Sequence, residues 1–398
     1  MTKSKQPQYR FDSFEGEWEE KKLGEISRMF SGGTPNVGIP EYYNGNIPFI
    51  RSAEINSDQT ELSITDKGLS NSSAKLVEKN TLLYALYGAT SGEVGLSRIS
   101  GAINQAILAI IPEKKYSSLF IKNWLYKQKS SIIEKYLQGG QGNLSGSIVK
   151  ELTIHFPSLP EQEAIGELFQ TVDQLLQLQD QKLTTLKEQK QTFLRKMFPA
   201  QGQKVPEIRL QGFDGEWEEK KLGEISRMFS GGTPSVGISE YYNGNIPFIR
   251  SSEINSDQTE LFITNKGLSN SPAKIVEKNT LLYALYGATS GEVGLSRISG
   301  AINQAILAII PEKNYSSLFI KNWLYKQKSS IIEKYLQGGQ GNLSGSIVKG
   351  LELYLPSLPE QEAIGDFFQT LDQQMSQTED KLIELKALKQ TLLNRLFV

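Results

Sequence analysis

The amino-acid sequence repeats itself after 199 residues, and this duplication constrains the fold more strongly than any other feature. The segment Gly16–Lys22 returns as Gly215–Lys221, and the same offset continues without a gap to Phe198 and Phe397. The chain has 398 residues and therefore consists of two copies of one unit. Because solenoid repeats are only roughly 20 to 50 residues long, this period predicts two duplicated domains instead.

Each unit has a nearly invariant first part and a more divergent second part. Between Gly16 and Lys150, the two copies differ at eight of 135 positions. The differences are Asn36/Ser235, Pro40/Ser239, Ala53/Ser252, Ser63/Phe262, Asp66/Asn265, Ser73/Pro272, Leu76/Ile275 and Lys115/Asn314. From Glu151 to Phe198 the copies diverge much more, which indicates a separate appendage of about 40 residues.

The appendage has the pattern of a long helix. Ser158 is a suitable N-cap, Pro160 lies in the first turn, and Glu161 suits the positive end of the helix dipole. Alternating steps of four and three residues then follow one apolar seam in each copy. The apolar seam residues are Ile165, Phe169, Val172, Leu176, Leu183, Leu186, Phe193 and Met197, with Ile364, Phe368, Leu371, Met375, Leu382, Leu385, Leu392 and Leu396 in the second copy. This seam predicts a coiled coil; the alternative is an amphipathic helix lying on its own domain.

The length of the connection between the copies favours antiparallel helices. The 15 residues from Phe198 to Phe213 reach at most roughly 50 Å. A helix from Ile165 to Met197 is itself roughly 50 Å long, so parallel helices would need a fully stretched linker. Antiparallel pairing places one globular domain at each end of a rod, related by an approximate two-fold axis.

Polar residues interrupt the seam at the same two places in both copies. They are Gln179 and Lys190 in the first helix and Thr378 and Lys389 in the second. Polar residues inside an apolar seam often fix the register of the helices at some cost in stability. We expect them to fix the register of this pair.

The first part of each unit predicts a mixed α/β domain. Thr81–Tyr87 and Ala102–Ile111 are strand-like apolar runs, whereas Tyr116–Gln138 has the pattern of a helix. The predicted fold class is therefore α/β (α+β), with two globular domains separated by a long antiparallel two-helix coiled coil and pseudo-two-fold symmetry. The predicted boundaries are 1–156 for the first domain, 157–198 for its helix, 199–212 for a linker, 213–355 for the second domain and 356–398 for its helix.

The composition excludes several kinds of chemistry. The chain has no cysteine and a single histidine, His155, whose counterpart is Tyr354. Thiolate chemistry and His-pair metal sites are therefore excluded, and we interpret His155 as structural. No Walker A motif and no Asn/Asp-Pro-Pro-Tyr/Phe motif of amino-methyltransferases occurs. We predict no catalytic residue, no metal site and, without a secretory signal or membrane-length apolar run, a cytoplasmic protein.

The long loops between these elements are rich in side chains that contact nucleic acid. Asn, Gln, Ser, Thr, Tyr and Arg side chains read base edges and contact phosphates, although each is also an ordinary turn residue. The candidates in the first copy are Ser31, Thr34, Asn36, Tyr42, Asn44, Asn46, Arg51, Thr90, Ser91, Gln141 and Asn143. Those in the second copy are Ser230, Thr233, Ser235, Tyr241, Asn243, Asn245, Arg250, Thr289, Ser290, Gln340 and Asn342.

An ordered set of motifs resembles the specificity subunits of type I restriction–modification systems. Lys204–Phe213 followed by Trp217 looks like the start of their target recognition domain, and Gln8–Phe14 is a degraded version that keeps Arg10 and Phe14. Further motifs with this resemblance are Ser31–Pro35, Ile47–Arg51, Asn104–Gln105, Gly142–Ser145 and, at the start of the helix, Leu159–Gln162. The resemblance covers essentially the whole chain twice.

This resemblance implies a non-catalytic subunit that binds double-stranded DNA. It implies one half-site per recognition domain, with the helix pair setting the gap. It also implies two modification subunits that use S-adenosylmethionine to methylate adenine, and restriction subunits that use ATP and Mg²⁺. The near-neutral net charge of −1, from 43 basic and 44 acidic residues, then suggests that the partners supply much of the phosphate contact. A coiled-coil scaffold with paired protein-binding domains and no DNA role is the alternative.

The near-identity of the two domains departs from the usual pattern of this family, in which the two domains differ. We therefore predict nearly identical half-sites in inverted orientation around an unspecified gap. Asn36/Ser235 and Asp66/Asn265 lie in or near the candidate loops. Because Asn reads adenine with two hydrogen bonds and Ser discriminates less, the half-sites could differ at one position.

Overall fold

The computed structural model describes residues 6–137, 143–336 and 342–398. The chain forms two compact units, one made of residues 1–180 and 380–398 and the other of residues 181–379. Each unit therefore contains one globular domain, the first half of the helix that follows it, and the last part of the other long helix. No helix within the described ranges is both long and apolar enough to cross a membrane.

The first unit is built from short strands and two long helical segments. Its strands are β1 (Glu19–Lys22), β2 (Ser27–Ser31), β3 (Tyr43–Ile50), β4 (Ser63–Ile64), β5 (Lys75–Val77), β6 (Leu82–Ala85), β7 (Val94–Leu96), β8 (Gly101–Ile103), β9 (Ile107–Pro112) and β10 (Thr153–Phe156). Its helices are α1 (Leu23–Ile26), α2 (Asp66–Ser70), α3 (Ser118–Leu137), α4 (Gly146–Lys150) and the first half of α5 (Leu159–Lys196). Single 3-10 turns cover Pro40–Tyr42 and Ser52–Glu54.

The second unit repeats these elements except α1, whose counterpart is a turn. Its strands are β11 (Glu218–Lys221), β12 (Ser226–Ser230), β13 (Tyr242–Ile249), β14 (Phe262–Ile263), β15 (Lys274–Val276), β16 (Leu281–Ala284), β17 (Val293–Leu295), β18 (Gly300–Ile302), β19 (Ile306–Pro311) and β20 (Glu352–Leu355). Its helices are α6 (Asn265–Ser269), α7 (Ser317–Leu336), α8 (Gly345–Lys349) and the first half of α9 (Leu358–Leu396), with 3-10 turns at Ser239–Tyr241 and Ser251–Glu253.

Two four-stranded sheets face each other in the globular part of the first unit. The antiparallel sheet has the order β2-β9-β6-β7, and the mixed sheet has the order β4-β3-β8-β5 with β3 and β8 parallel. Alternate residues of β6 explain the layers: Leu82 and Tyr84 pack toward α3, whereas Leu83 and Ala85 pack against the mixed sheet. The other face of the mixed sheet packs on α2, which gives a helix–sheet–sheet–helix order. The second unit has the same two sheets.

The strand-like run from Ala102 to Ile111 is not one strand, because it breaks at Asn104. The Asn104 side chain accepts a hydrogen bond from the backbone N–H of Ala106 at 3.1 Å and so closes a turn. As a result, β8 belongs to the mixed sheet and β9 to the antiparallel one. The expected mixed α/β class is confirmed, but this turn is what joins its two sheets.

Within each unit the two long helical segments run antiparallel, as predicted. In the first unit Phe169 stacks on Phe397, and Asp173 pairs with Lys389 at 2.6 Å, so residue numbers rise along α5 while they fall along α9. In the second unit Phe368 stacks on Phe198, and Asp372 pairs with Lys190 at 2.5 Å. All sixteen apolar seam residues are buried or half-buried.

The seam shifts by one residue where the helices end. Leu194 and Phe198 are almost fully buried, as are Leu393 and Phe397, whereas Phe193 and Leu392 are only half-buried. Phe397 packs on Phe120 of α3, with ring centroids 4.9 Å apart. The end of each helix therefore packs in the core of a globular domain. The heptad pattern alone does not predict this contact.

A buried ion pair fixes the start of each long helix to its domain. Arg10 donates two hydrogen bonds of 2.7 Å to Glu161 and further ones to the carbonyls of Glu15 and Gly16. Glu161 is fully buried, and the next residue, Gln162, accepts from the Ser117 N–H at 2.9 Å and donates to the Pro157 carbonyl. The arrangement recurs in the second unit, where Arg209 binds Glu360. The Leu159–Gln162 motif is thus an anchor between helix and domain.

Candidate nucleic-acid interface

Most of the predicted contact residues of the first copy lie on one continuous stretch, residues 31–46, which we call the polar loop. Thr34, Asn36, Asn44 and Asn46 are exposed, whereas Ser31 and Tyr42 are half-buried. The corresponding segment of the second unit, residues 230–245, places Ser230, Thr233, Ser235, Tyr241, Asn243 and Asn245 in the same way. The structure therefore brings these candidates together on one surface of each domain.

The glycines of the polar loop serve packing within the chain. A Cβ atom on Gly32 would lie 1.8 Å from the carbonyl oxygen of Ile103, and one on Gly33 would lie 2.6 Å from the Cβ of Ser73. These glycines let the loop lie close against β8 and Ser73, since only glycine fits there.

Hydrogen bonds inside the polar loop hold its exposed residues in place. The Tyr43 hydroxyl donates to the Pro35 carbonyl at 2.6 Å, and the Asn36 side-chain oxygen accepts from the Gly38 N–H at 2.9 Å. Asn44 has a left-handed backbone with φ of 61°, at an irregularity in the pairing of β3 with β4. Asn tolerates this conformation better than most residues, so the exposed amides sit on an ordered backbone.

Gln105 joins this surface although it was not among the predicted contact residues. It is exposed, and its side-chain oxygen accepts a hydrogen bond from the Thr34 hydroxyl at 2.6 Å. In the second unit Gln304 accepts from Thr233 in the same way, and its backbone carbonyl accepts from the Tyr286 hydroxyl at 2.6 Å. The Asn104–Gln105 motif in the sequence was the available signal, but only the fold places it beside the polar loop.

The second group of candidates lies on the loops that follow β6 and α3. Asn143 is exposed and forms an isolated bridge with Tyr87, and Asn342 does the same with Tyr286. Thr90 and its counterpart Thr289 are half-buried. Gln141 and Gln340 lie outside the described residues.

Ser91 and Ser290 do not face the solvent. Both are buried, and their hydroxyls donate to the carbonyls of Gly88 at 3.0 Å and Gly287 at 2.9 Å. Their hydroxyl groups therefore close a tight turn after β6 and its counterpart. The sequence-based assignment of these two residues to a contact surface is corrected here, because a buried and paired hydroxyl has no hydrogen atom to offer a ligand.

Arg51 and Arg250 are bound by carboxylates. Arg51 donates to Glu54 at 3.0 Å and to Glu61 at 2.5 Å, and Arg250 forms the same pairs with Glu253 and Glu260. Burial opposes ionisation of Glu54, but hydrogen bonds from Arg51 and from the Glu61 backbone lower the pKa of its carboxyl. The arginine charge is therefore neutralised locally, and the residue stabilises the turn after β3.

The surface around the polar loop is polar rather than strongly cationic. Lys67, on α2, pairs with Glu41 at 2.7 Å. The exposed groups that remain are mainly amides and hydroxyls, which suit hydrogen bonds to base edges more than attraction of phosphates. Among the described residues, no group of three or more histidine, aspartate or glutamate side chains is arranged to hold a metal ion. His155 lies opposite Glu20 across the β1–β10 pair, with the two side chains 3.2 Å apart.

Comparison with known families gives two matches along the chain. The family described as type I restriction modification DNA specificity domain matches residues 15–188 and again residues 214–387. The two matches follow the 199-residue repeat, and together they cover most of the chain.

Individual relatives agree with this match. The type I restriction enzyme MjaIX specificity subunit of Methanocaldococcus jannaschii is 23% identical over 408 residues, covering 96% of this chain and 92% of the relative. The type I restriction enzyme EcoR124I/EcoR124II specificity subunit of Escherichia coli is 27% identical over 185 residues, which is 44% of this chain and 46% of the relative. A crystal structure of the S subunit of a type I restriction–modification system from M. genitalium has a TM-score of 0.70 at 19% identity and covers 99% of both chains, so the fold is shared.

Proposed function

The chain belongs to the family of type I restriction modification DNA specificity domains, and on that premise we propose that its two globular domains read two nearly identical half-sites in inverted orientation. Sequence-specific DNA recognition is the role of this family, so a scaffold without a DNA role is not favoured. The observation that carries the proposal is the near-identity of the two polar loops, since identical reading surfaces select identical bases. The antiparallel pairing of the helical segments within each unit supports the inverted orientation.

The polar loop supplies the base contacts in this proposal. The exposed amides of Asn44 and Asn46, with Gln105 beside them, can donate to and accept from base edges in the major groove. Asn36 has its side-chain oxygen bound to Gly38, so its amide N–H groups are what it offers to a base. Ser235 takes its place in the second unit, and exchanging Asn36 and Ser235 should move the base preference if this position is read.

The chemistry of the system belongs to partner subunits in this proposal. We infer that the chain binds two modification subunits that methylate adenine with S-adenosylmethionine, and restriction subunits that need ATP and Mg²⁺. The helix pair then acts as the ruler that sets the gap between half-sites. Because such a complex works on cellular DNA, we propose that the protein is cytoplasmic.

Mapping methylated adenines in DNA from cells that carry the complex tests the proposal. We expect one bipartite motif whose halves are nearly inverted copies. Gel-shift experiments with the purified modification subunit should then show binding to the mapped site and much weaker binding to DNA of random sequence. Two unrelated half-sites would refute the inverted arrangement, and equal binding to all DNA would refute sequence-specific reading.

A further inference from the structure

The differences between the two globular domains are not spread evenly. Seven of the eight lie between residues 36 and 76 of the first copy, and the eighth is Lys115/Asn314. All eight positions are exposed or half-buried in both units. The rest of the compared segment also exposes many side chains but is otherwise identical in the two copies. The divergence is therefore concentrated in the segment that runs from the polar loop to β5.

One exchange in this region alters the chemistry of the surface far more than the others. Position 63 is a half-buried serine in the first unit, and its counterpart Phe262 is a phenylalanine with 40% of its surface exposed. The other exchanges replace small or polar side chains by others of moderate size, or one aliphatic side chain by another. The exposed aromatic ring adds apolar surface to the second unit. The first unit folds without this apolar surface, so folding does not require it.

The exchange leaves the backbone unchanged. In the first unit Ser63 pairs with Pro48, and in the second Phe262 pairs with Pro247. The following residues, Ile64 and Ile263, are fully buried in both. The domain therefore folds in the same way with either side chain, and the effect of the exchange is confined to the surface.

Strand geometry shows which side chains accompany the Phe262 ring. Because neighbouring residues of a strand point to opposite faces, the buried Ile263 sends Phe262 to the other face of the mixed sheet. Phe262 shares that face with its directly paired partner Pro247, and Asn245 lies two residues before Pro247, where the pairing of β13 with β14 is irregular. Asn245 is exposed and belongs to the polar loop segment. An exposed aromatic ring and an exposed amide are thus carried by two paired strands, β14 and β13.

We propose that Phe262 is a specificity-determining residue of the second domain, where its ring contacts the C5-methyl group of a thymine. Apolar side chains read this methyl group in the major groove, and asparagine reads adenine in the same groove. Ser63 has no group that packs on a methyl, so the first domain does not discriminate at the matching position. The inference rests on the proposed function and adds that the two half-sites differ in their dependence on one thymine.

The area of the ring favours DNA over a protein partner. A stable protein interface buries at least about 1,000 Å², most of it around a cluster of anchor residues. Phe262 is the only aromatic side chain that the second copy adds, and the exposed polar residues Asn243 and Asn245 lie on β13, the strand that pairs with β14. A single methyl contact needs no larger apolar patch.

Deoxyuridine, which lacks the C5-methyl group of thymine, provides the test. The full chain with its modification subunit is titrated with duplexes that carry the mapped site, in which each thymine in turn is replaced by deoxyuridine. We expect one replacement in the second half-site to weaken binding about four-fold, the effect of burying one methyl group. The matching replacement in the first half-site should have no effect.

Exchange of the two residues supplies matched variants, because each side chain already occurs in a folded twin. Phe262→Ser should abolish the methyl dependence of the second half-site, and Ser63→Phe should create it in the first. Methyl dependence that persists in Phe262→Ser would overturn the proposal, as would its absence from the unaltered chain. Loss of modification-subunit binding in Phe262→Ser, with the response to deoxyuridine unchanged, would identify the ring as a protein contact instead. If the unaltered chain bound no mapped site, the proposed function itself would fail.

Discussion

Replacing Asp372 by asparagine should destabilise the helix pair of the second unit by about 2 to 3 kcal/mol. Asp372 lies between two lysines, with Lys190 at 2.5 Å on the other helical segment and Lys321 at 2.8 Å on α7. The variant would leave two ammonium groups facing one neutral amide. Lys190 also lies over the ring of Tyr325, 4.6 Å from its centroid, so it cannot turn to the solvent without losing that contact.

The magnitude follows from the burial of the three side chains. The side chain of Asp372 is 28% exposed, that of Lys190 is 11% exposed and that of Lys321 is 19% exposed. Removing one partner from a fully buried pair costs about 3 to 5 kcal/mol, and an exposed pair contributes only about 0 to 1 kcal/mol. The Asp372 site is mostly buried, so the expected cost lies between these limits and nearer to that of a fully buried pair.

The chain contains a control for this experiment. Lys187 and Glu379 form an ion pair of 3.1 Å across the same helical segments, but their side chains are 52% and 49% exposed. Glu379→Gln should therefore cost less than about 1 kcal/mol. Urea unfolding of the full chain at pH 7, followed by circular dichroism, gives the midpoint for each variant. Equal midpoints for Asp372→Asn and Glu379→Gln would refute the argument that burial makes the ion pairs of Asp372 more stabilising than the exposed pair of Glu379.

Three further predictions concern the same unit. The ion pairs with the two lysines outweigh burial and lower the pKa of the Asp372 carboxyl. The stabilisation from this carboxylate should therefore be complete above about pH 4 and should be lost as the pH falls through the lowered pKa of the folded state. The difference in stability between the unaltered chain and Asp372→Asn, measured by urea unfolding across pH, should accordingly disappear at low pH. Arg209→Ala should cost about 3 to 5 kcal/mol because it leaves the buried Glu360 unpaired, and an unchanged melting temperature would contradict the anchoring role. Gly231→Ala should destabilise the fold by about 3 kcal/mol or more and lower the soluble yield, since its Cβ would lie 1.8 Å from a carbonyl oxygen. In the control Gly237→Ala the new Cβ meets nothing within 4 Å, so the soluble yield should stay unchanged.

Much of the architecture could be predicted because it depends on periodicities that lie within one stretch of sequence. The 199-residue offset establishes duplication without any structure. The alternating steps from Ile165 to Met197 identify a helix seam, and the length of the linker favours antiparallel pairing, which the contacts within each unit confirm. These inferences need only geometry that is the same in every helix.

The candidate site could be predicted only in part. The sequence identified the polar loop, but it predicted Ser91 and Asn44 equally as contact residues, because both are polar residues beside glycine. It also included Arg51 among the candidate contact residues, whereas the folded chain pairs this arginine with Glu54 and Glu61. Gln105 was passed over as a contact residue although it lies beside Thr34. In each case the partner that decides the role comes from the folded arrangement of the chain.

The sequence by itself therefore determined the duplication, the class of fold, the helix pair and the family. Tertiary structure decided which polar side chains face outward, that the run containing Asn104 divides between two sheets, and that Phe262 pairs with Pro247 of β13. The physical reason is that helical and strand periods are set by neighbours in the chain. Exposure and pairing of a polar group depend instead on residues that only folding brings next to it.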